Sequence, residues 1–310
     1  MKPEILIVGA GAVGGYYGAR LAQGGARVSA LCRSDYNAVR SNGIIVRSVA
    51  GDCTFIPAST IQSISDYKMV PDYIIISTKV LPDIDIPGMI RSIVRPGTAI
   101  VHLQNGIEIE EPSMAAFPDN EIIGAIAFIC ASRPSPGCIA HEDYGRVTIG
   151  RYPSGSSAKT ESLADLFRTA GIQCDIDPDI ITARWKKLVW NASLNPISVL
   201  GGGADTREIM ESPPALQLAR EVMAEVVMLA GKSGHPLPDS IIDKTIHDTI
   251  SMKPTKTSML QDYEGGRPLE TEALLGNALG VSRRVGVQVP HIESLYGLLK
   301  LVGEKKRRGA

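Results

Sequence analysis

The feature that most constrains this chain lies near its start, where Ile5-Leu6-Ile7-Val8 opens directly onto Gly9-Ala10-Gly11-Ala12-Val13-Gly14. An unbroken apolar run of this length suits a strand buried on both faces, as in a parallel sheet. Each glycine then meets a different demand. Gly9 permits a tight turn, Gly11 lets a pyrophosphate approach the backbone, and Gly14 lets the following helix pack close to the strand. A helix over about 12–24, opened by Ala12 and Val13, would present its free N–H groups to the phosphates. The glycine spacing alone is weak, and a purely structural turn is the alternative. Its place between a strand, an amphipathic helix and a second strand at Val28–Leu31 favours a dinucleotide site.

The same alternation continues. Strands are expected at Tyr73–Ser77, Ala99–Leu103 and Ile122–Ile129, a hairpin at Ile44–Arg47 and Cys53–Ile56, and a short helix at Ile86–Ile93. Two further strands at Ile139–His141 and Arg146–Ile149, a helix at Glu161–Ala170 and a strand at Gln173–Asp175 follow. This is the pattern of a parallel, doubly wound α/β sheet. After Asp177-Pro178-Asp179 the period becomes helical, with helices expected at about 180–194, 213–233, 238–251, 269–285 and 291–303. The expected organisation is therefore a Rossmann-type domain over 1–178 and an all-α domain over 179–310.

The end of the second strand bears on the choice of cofactor. An acid there would bind the ribose 2′-hydroxyl of NAD. The strand ends instead in Leu31-Cys32-Arg33-Ser34, and a guanidinium can pair with a 2′-phosphate. NADP is the expected cofactor, with Arg33 on the phosphate and Ser34 assisting; Asp35, one place on, argues the other way. Two other strands end in Ser77-Thr78-Lys79 and Gln104-Asn105-Gly106. Lys79 is equally a cofactor contact or a loop lysine. Asn105 can donate and accept beside a nicotinamide and a substrate, or form an ordinary turn with Gly106.

In the second half, Trp185, Leu188, Val189 and Ala192 make an apolar helix face. Lys187, Asn191 and Asn195, spaced i, i+4, i+8, make a polar stripe on the same helix. No acid lies along that stripe, and Pro196 should stop or bend the helix after Asn195. A lysine and two amides in line suit a small keto acid, and a solvated helix face is the alternative. Ser258 and Glu270 are further candidates, for a carboxylate oxygen and a hydroxyl respectively. The alternative places them as an N-cap and a capping-box or dipole-favoured acid.

The remaining chemistry is largely excluded. The five histidines show no metal spacing and read as structural or surface residues, and no metal is expected. No nucleophile elbow is present. The 32 basic and 33 acidic residues leave a net charge of -1, so neither nucleic acid nor an anionic membrane is an expected partner. The basic run Lys305-Lys306-Arg307-Arg308 reads as a solvated tail. Five cysteines without a C-x-x-C pair fit a reducing cytoplasm, and neither a signal peptide nor a membrane span is visible.

Taken together, the turn at 9–14, Arg33, Gln104-Asn105-Gly106, Trp185-Lys186-Lys187-Leu188, Asn191, Asn195-Pro196, Ser258-Met259-Leu260-Gln261-Asp262, Arg267 and Glu270 resemble the ketopantoate reductase family over nearly the whole chain. The resemblance implies NADPH-dependent reduction of 2-dehydropantoate to pantoate, in pantothenate and coenzyme A synthesis, with a helical second domain closing over a cleft. It implies that Lys187 is the general acid, that Glu270 binds substrate, and that Asn105, Asn191, Asn195 and Ser258 line the site. Two departures stand out. Thr255 occupies a position that is often asparagine, and Glu270 lies in Leu269-Glu270-Thr271-Glu272 where relatives read differently. A reductase of another branched 2-oxo acid, or a non-catalytic NADP sensor on the same scaffold, are the alternatives. A homodimer is one assembly open to such a chain.

Overall fold

The computed structural model describes residues 2–308, with side chains through Lys305. Two compact units divide the chain. Met1–Lys79, Ile84–Gln104 and Ile109–Ile180 form the first; Val80–Asp83, Asn105–Glu108 and Ile181–Ala310 form the second.

The first unit is a sheet with helices. Its strands are β1 (Glu4–Val8), β2 (Arg27–Leu31), β3 (Ile44–Ser48), β4 (Cys53–Phe55), β5 (Thr60–Ile61), β6 (Tyr73–Ile76), β7 (Ala99–His102), β8 (Ile122–Ser135), β9 (Cys138–Arg151) and β10 (Cys174–Ile176). Its helices are α1 (Ala12–Gln23), α2 (Tyr36–Asn42), α3 (Ile86–Ile90), α4 (Glu111–Ala116) and α5 (Ala158–Thr169). The strands lie in the order β4-β3-β9-β8-β7-β6-β1-β2-β5, and β10 pairs with β9. From β2 through β1, β6 and β7 to β8 every pairing is parallel. Both faces of these strands are covered, and Leu6, Val8, Ile74, Ile75, Ile76 and Val101 have no accessible surface.

The chain leaves β1 through α1 to reach β2 on one side, and later returns as β6 on the other. That reversal makes the carboxyl ends of β1 and β6 the topological switch point, the place at which open α/β sheets as a class bind ligands.

The sheet is not wholly parallel, as the alternating pattern suggested. β8 and β9 form a long antiparallel hairpin. The two short strands expected within 139–149 are one strand, β9, interrupted by a bulge at which Tyr144 and Gly145 take φ of 61° and 109°. Such a bulge breaks the alternation from which a strand is read while leaving the pairing continuous. The expected hairpin at β3 and β4 pairs antiparallel, with Val46 opposite Cys53.

The second unit, among its described residues, is helical: α6 (Ile180–Leu200, which begins on the last residue of the first unit), α7 (Thr206–Glu211), α8 (Pro213–Lys232), α9 (Ile241–Ser251), α10 (Ser258–Glu264), a π-helical turn over Glu272–Gly276, α11 (Asn277–Val285) and α12 (Pro290–Arg308). α8 buries Ala219, Val222, Met223, Val226, Leu229 and Ala230, one face at helical spacing, and packs against α7, α9, α11 and α12. Its Glu225 is also buried and accepts the N–H groups of His291 and Ile292 at 2.9 and 2.8 Å, satisfying the start of α12.

Pro196 does not stop α6, which is one of the two effects expected of it. The helix runs on to Leu200, and Leu194, Ile197 and Val199 beyond and around the proline are at most 6% exposed. Burial of this apolar segment outweighs the roughly 3 kcal/mol that an interior proline costs. Of the basic run at the C-terminus, Lys305 is exposed, and the side chains of Lys306, Arg307 and Arg308 lie outside the described residues.

Candidate active site

The glycine turn is shaped by two kinds of space, filled and open. A Cβ on Gly9, whose φ is +98°, would fall 2.7 Å from Thr78 Cγ2 and 2.8 Å from the Thr78 nitrogen. One on Gly14 would fall 2.1 Å from Ser77 Oγ and 2.4 Å from the Gly9 carbonyl oxygen. Gly9 and Gly14 are therefore required by the protein's own packing. Gly11 differs: a Cβ there meets nothing within 4 Å, so the backbone is open on that side. Gly11 is the N-cap of α1, with no side-chain cap, and the first turn carries no acid. Open backbone, uncapped N–H groups and the positive end of a helix dipole fit an anionic pyrophosphate. Ala10, Ala12 and Val13 complete the turn.

The ends of β6 and β7 are fixed by a buried polar chain. Gln104 donates to the Thr78 carbonyl at 2.8 Å, its Oε1 lies 3.0 Å from His102 Nδ1, and His102 Nε2 lies 2.9 Å from Ser113 Oγ. Ser77 Oγ donates to the Gly9 carbonyl at 2.8 Å. These bonds hold the segment against which Gly9 and Gly14 pack. Lys79, half-buried, is the last residue of this segment before the chain enters the second unit.

At the end of β2, Arg33 and Ser34 are exposed, whereas Asp35 is 4% exposed. The Asp35 carboxylate is ion-paired with Arg133 near the end of β8, and takes the Gly137 N–H at 3.2 Å and the Ser34 hydroxyl at 2.9 Å. The acid that the sequence set against a 2′-phosphate is thus satisfied inside the protein. Burial pushes the neighbouring Cys32 thiol up to about 11, which leaves it neutral and inert.

In the second unit, Lys187, Asn191 and Asn195 lie along α6 as spacing demanded. Lys187 is half-buried, and Asn191 and Asn195 are 4% and 1% exposed, so the stripe is not a solvated face. Asn195 Oδ1 accepts the Met259 N–H at 3.3 Å, which ties α6 to the first turn of α10. The cap of α10 is Thr257, whose hydroxyl takes the Leu260 N–H at 3.2 Å. Ser258 is the first helical residue and is exposed, so its hydroxyl is not the cap that the alternative reading assigned to it.

Glu270 precedes the helical segment at 271–285, and its backbone carbonyl accepts the Leu274 N–H at 3.2 Å. Its Oε1 accepts the Val80 N–H at 3.0 Å, holding the segment 80–83 that follows Lys79. Thr255 donates its hydroxyl to the Lys253 carbonyl at 2.8 Å, a bond internal to its own turn.

The segment 105–108 is bound just as firmly. Gly106 has φ of +112°, and a Cβ there would lie 2.7 Å from the Ala273 carbonyl oxygen. Asn277 donates to the Ile107 carbonyl at 2.7 Å, and Arg284 is ion-paired with Glu108. Buried Arg184 approaches the Gly106 carbonyl at 3.5 Å. Asn105-Gly106 is accordingly more than a loose turn: Asn105 sits, half-buried, on a loop clamped within the helical unit. Sequence reasoning missed Arg133, Asn277 and Arg184, since each partner lies at least 78 residues away and leaves no local pattern.

Comparison with known proteins bears on what this arrangement is. A family model described as ketopantoate reductase PanE/ApbA matches residues 5–154, and one described as ketopantoate reductase PanE/ApbA C terminal matches 179–303. The chain belongs to the ketopantoate reductase family. A curated 2-dehydropantoate 2-reductase of Nostoc sp. is 37% identical, covering 98% of this chain and 96% of its own. A crystal structure of 2-dehydropantoate 2-reductase from Methylococcus capsulatus is 45% identical, covers 98% and 97% of the two chains, and superposes with a TM-score of 0.91. D-mandelate dehydrogenase, solved with NADH and anilino(oxo)acetate, shares the fold alone: 21% identity, TM-score 0.87, over 98% and 99% of the chains. The family fold is therefore a Rossmann-like sheet domain followed by a helical domain, as the sequence implied.

Among the described residues, no cluster of His, Cys, Asp and Glu is arranged to hold a metal ion. No helix among them is long and apolar enough to cross a membrane.

Proposed function

We propose that this chain is a cytoplasmic, NADPH-dependent reductase of 2-dehydropantoate, yielding pantoate. The observation that carries the proposal is the stripe on α6 of half-buried Lys187 and buried Asn191 and Asn195, in a chain that belongs to the ketopantoate reductase family. On this reading residues 1–178 serve the dinucleotide, and residues 179–310 serve the substrate. Gly9 to Gly14 receive the pyrophosphate, Arg33 the 2′-phosphate, and Lys79 and Asn105 complete the cofactor contacts.

When bound, NADPH supplies a hydride for the C2 carbonyl of the 2-oxo acid. Lys187 neutralises the oxyanion that develops on the C2 oxygen and gives it a proton. Asn105, Asn191, Asn195 and Ser258 orient the polar groups of the substrate. Glu270 accepts a hydrogen bond from its hydroxyl. A proton donor is of no use to a pure sensor, so this set argues for an enzyme.

One observation favours a second reading within the same chemistry. The Thr255 hydroxyl is engaged by the Lys253 carbonyl and offers no amide where relatives often do. That change suits a different branched 2-oxo acid. The test is a panel of 2-dehydropantoate, 2-oxoisovalerate and 2-oxoisocaproate, each with NADPH and with NADH, followed by loss of reduced-nicotinamide absorbance. Preference for 2-dehydropantoate with NADPH supports the proposal. Faster turnover of another acid supports the second reading, and no turnover of any acid contradicts both.

A further inference from the structure

We infer that Arg133 is a second determinant of NADP selectivity, neutralising Asp35 and offering its remaining N–H edge to the 2′-phosphate beside Arg33. The inference rests on the NADP reading above and adds to it a residue some 100 positions away.

Three observations carry it. First, the acid is in the wrong place for a phosphate. Asp35 lies two residues beyond Arg33, at the strand end where this fold meets the 2′-substituent of the ribose. An unpaired carboxylate there would repel a dianion and would bind a 2′-hydroxyl. Second, that carboxylate is turned inward and satisfied. It is 4% exposed, with Arg133, the Gly137 N–H and the Ser34 hydroxyl around it. Third, the guanidinium is only partly used. Arg133 Nη1 serves both Asp35 and Ser34, the latter at 3.2 Å, while no hydrogen bond of Nε or Nη2 occurs among the described residues. Its side chain remains 31% exposed. Ser34 Oγ bridges the two, so Arg133, Ser34 and Asp35 form one connected group next to Arg33.

The β8–β9 hairpin thereby does what a different residue at position 35 would do locally. It converts a strand end that carries one cation and one anion into one with a net positive charge. A planar guanidinium with a free edge is suited to bidentate phosphate contact. A purely structural Arg133–Asp35 pair would support the strand end equally for both cofactors, which separates the two roles experimentally.

The test is equilibrium binding, read by quenching of protein fluorescence and independent of turnover, for NADPH and NADH with wild type, Arg133→Gln, and Asp35→Asn/Arg133→Gln. Wild type binding NADPH more tightly than NADH is the condition set by the NADP reading; a preference for NADH would overturn that reading itself. Given that preference, Arg133→Gln is expected to weaken NADPH on the order of tenfold and NADH by less than about threefold. The double variant removes the acid that Arg133→Gln would leave buried and unpaired, so it folds even if the single one does not. It is expected to recover part of the NADPH affinity and to stay below wild type. Equal weakening of both cofactors, or no change in either, in whichever variant folds would overturn the inference.

Discussion

The Glu270 carboxylate accepts the Val80 N–H at 3.0 Å, so the residue proposed to bind substrate also anchors the segment that follows Lys79. The two tasks separate by substitution. Glu270→Gln keeps an oxygen for Val80 and loses only the charge, whereas Glu270→Ala loses both. Steady-state kinetics should show KM for the 2-oxo acid raised on the order of tenfold in the glutamine variant, since hydrogen bonds to charged groups are worth about 1.5–3 kcal/mol. The alanine variant should show the larger loss, with the midpoint of urea unfolding lowered as well. Identical behaviour of the two variants would mean that Val80 plays no part.

Gly11 and Gly14 should respond oppositely to the same small change. Gly11→Ala adds a methyl group where nothing lies within 4 Å, so its melting temperature should match wild type. Its dinucleotide affinity should fall at least on the order of tenfold, because the added methyl would stand where the proposed pyrophosphate contact is made. Gly14→Ala forces a Cβ to 2.1 Å from Ser77 Oγ and 2.4 Å from the Gly9 carbonyl oxygen, and should unfold at a clearly lower temperature. Calorimetry and fluorescence titration on both variants decide this.

Asn195 makes a stability prediction as well as a functional one. Replacing it by alanine leaves the buried Met259 N–H without an acceptor, which costs about 1–3 kcal/mol. Urea denaturation should register that loss. Asn191→Ala, which leaves the Met259 bond intact, should show a smaller effect on stability while still impairing turnover.

Much of this was legible in the sequence because it is local. The strand, the three glycines and α1 follow one another within residues 4–23, and the stripe on α6 is a matter of spacing along one helix. What escaped depends on caps and on distant partners. α7 spans six residues and is held by a capping box between Asp205 and Glu208; α10 spans seven and is held by Thr257. Neither is long enough to show a period. That Val80–Asp83 and Asn105–Glu108 group with the helical unit is set by Glu270, Asn277 and Arg284, far along the chain. Arg133 could not be matched to Asp35 for the same reason.

His141 should govern part of the acid sensitivity. Burial holds its imidazole below the usual value of 6.5, with Ser48 Oγ at 2.8 Å from Nδ1, the Asp143 carbonyl at 3.0 Å from Nε2, and the Tyr16 ring tilted against it at 4.3 Å between centroids. The Arg20 guanidinium, which donates to the same Ser48 oxygen at 3.0 Å, adds repulsion against a second cation. A histidine with a lowered folded-state pKa is neutral in the native protein. Its contribution is complete above about pH 6.5 and is lost as pH falls through the folded-state value. Melting temperature should therefore decline below about pH 6.5, and His141→Gln should flatten that decline. An unchanged slope would remove His141 from the account.

The most direct test of the central claim is single-turnover reduction of 2-dehydropantoate by Lys187→Ala, with NADPH affinity measured on the same sample. A positioned acid contributes on the order of 10²–10⁴ in rate, so turnover should fall by that factor while NADPH binds as it does to wild type. Near-normal turnover in this variant would show that the proton comes from elsewhere and would contradict the assignment of Lys187.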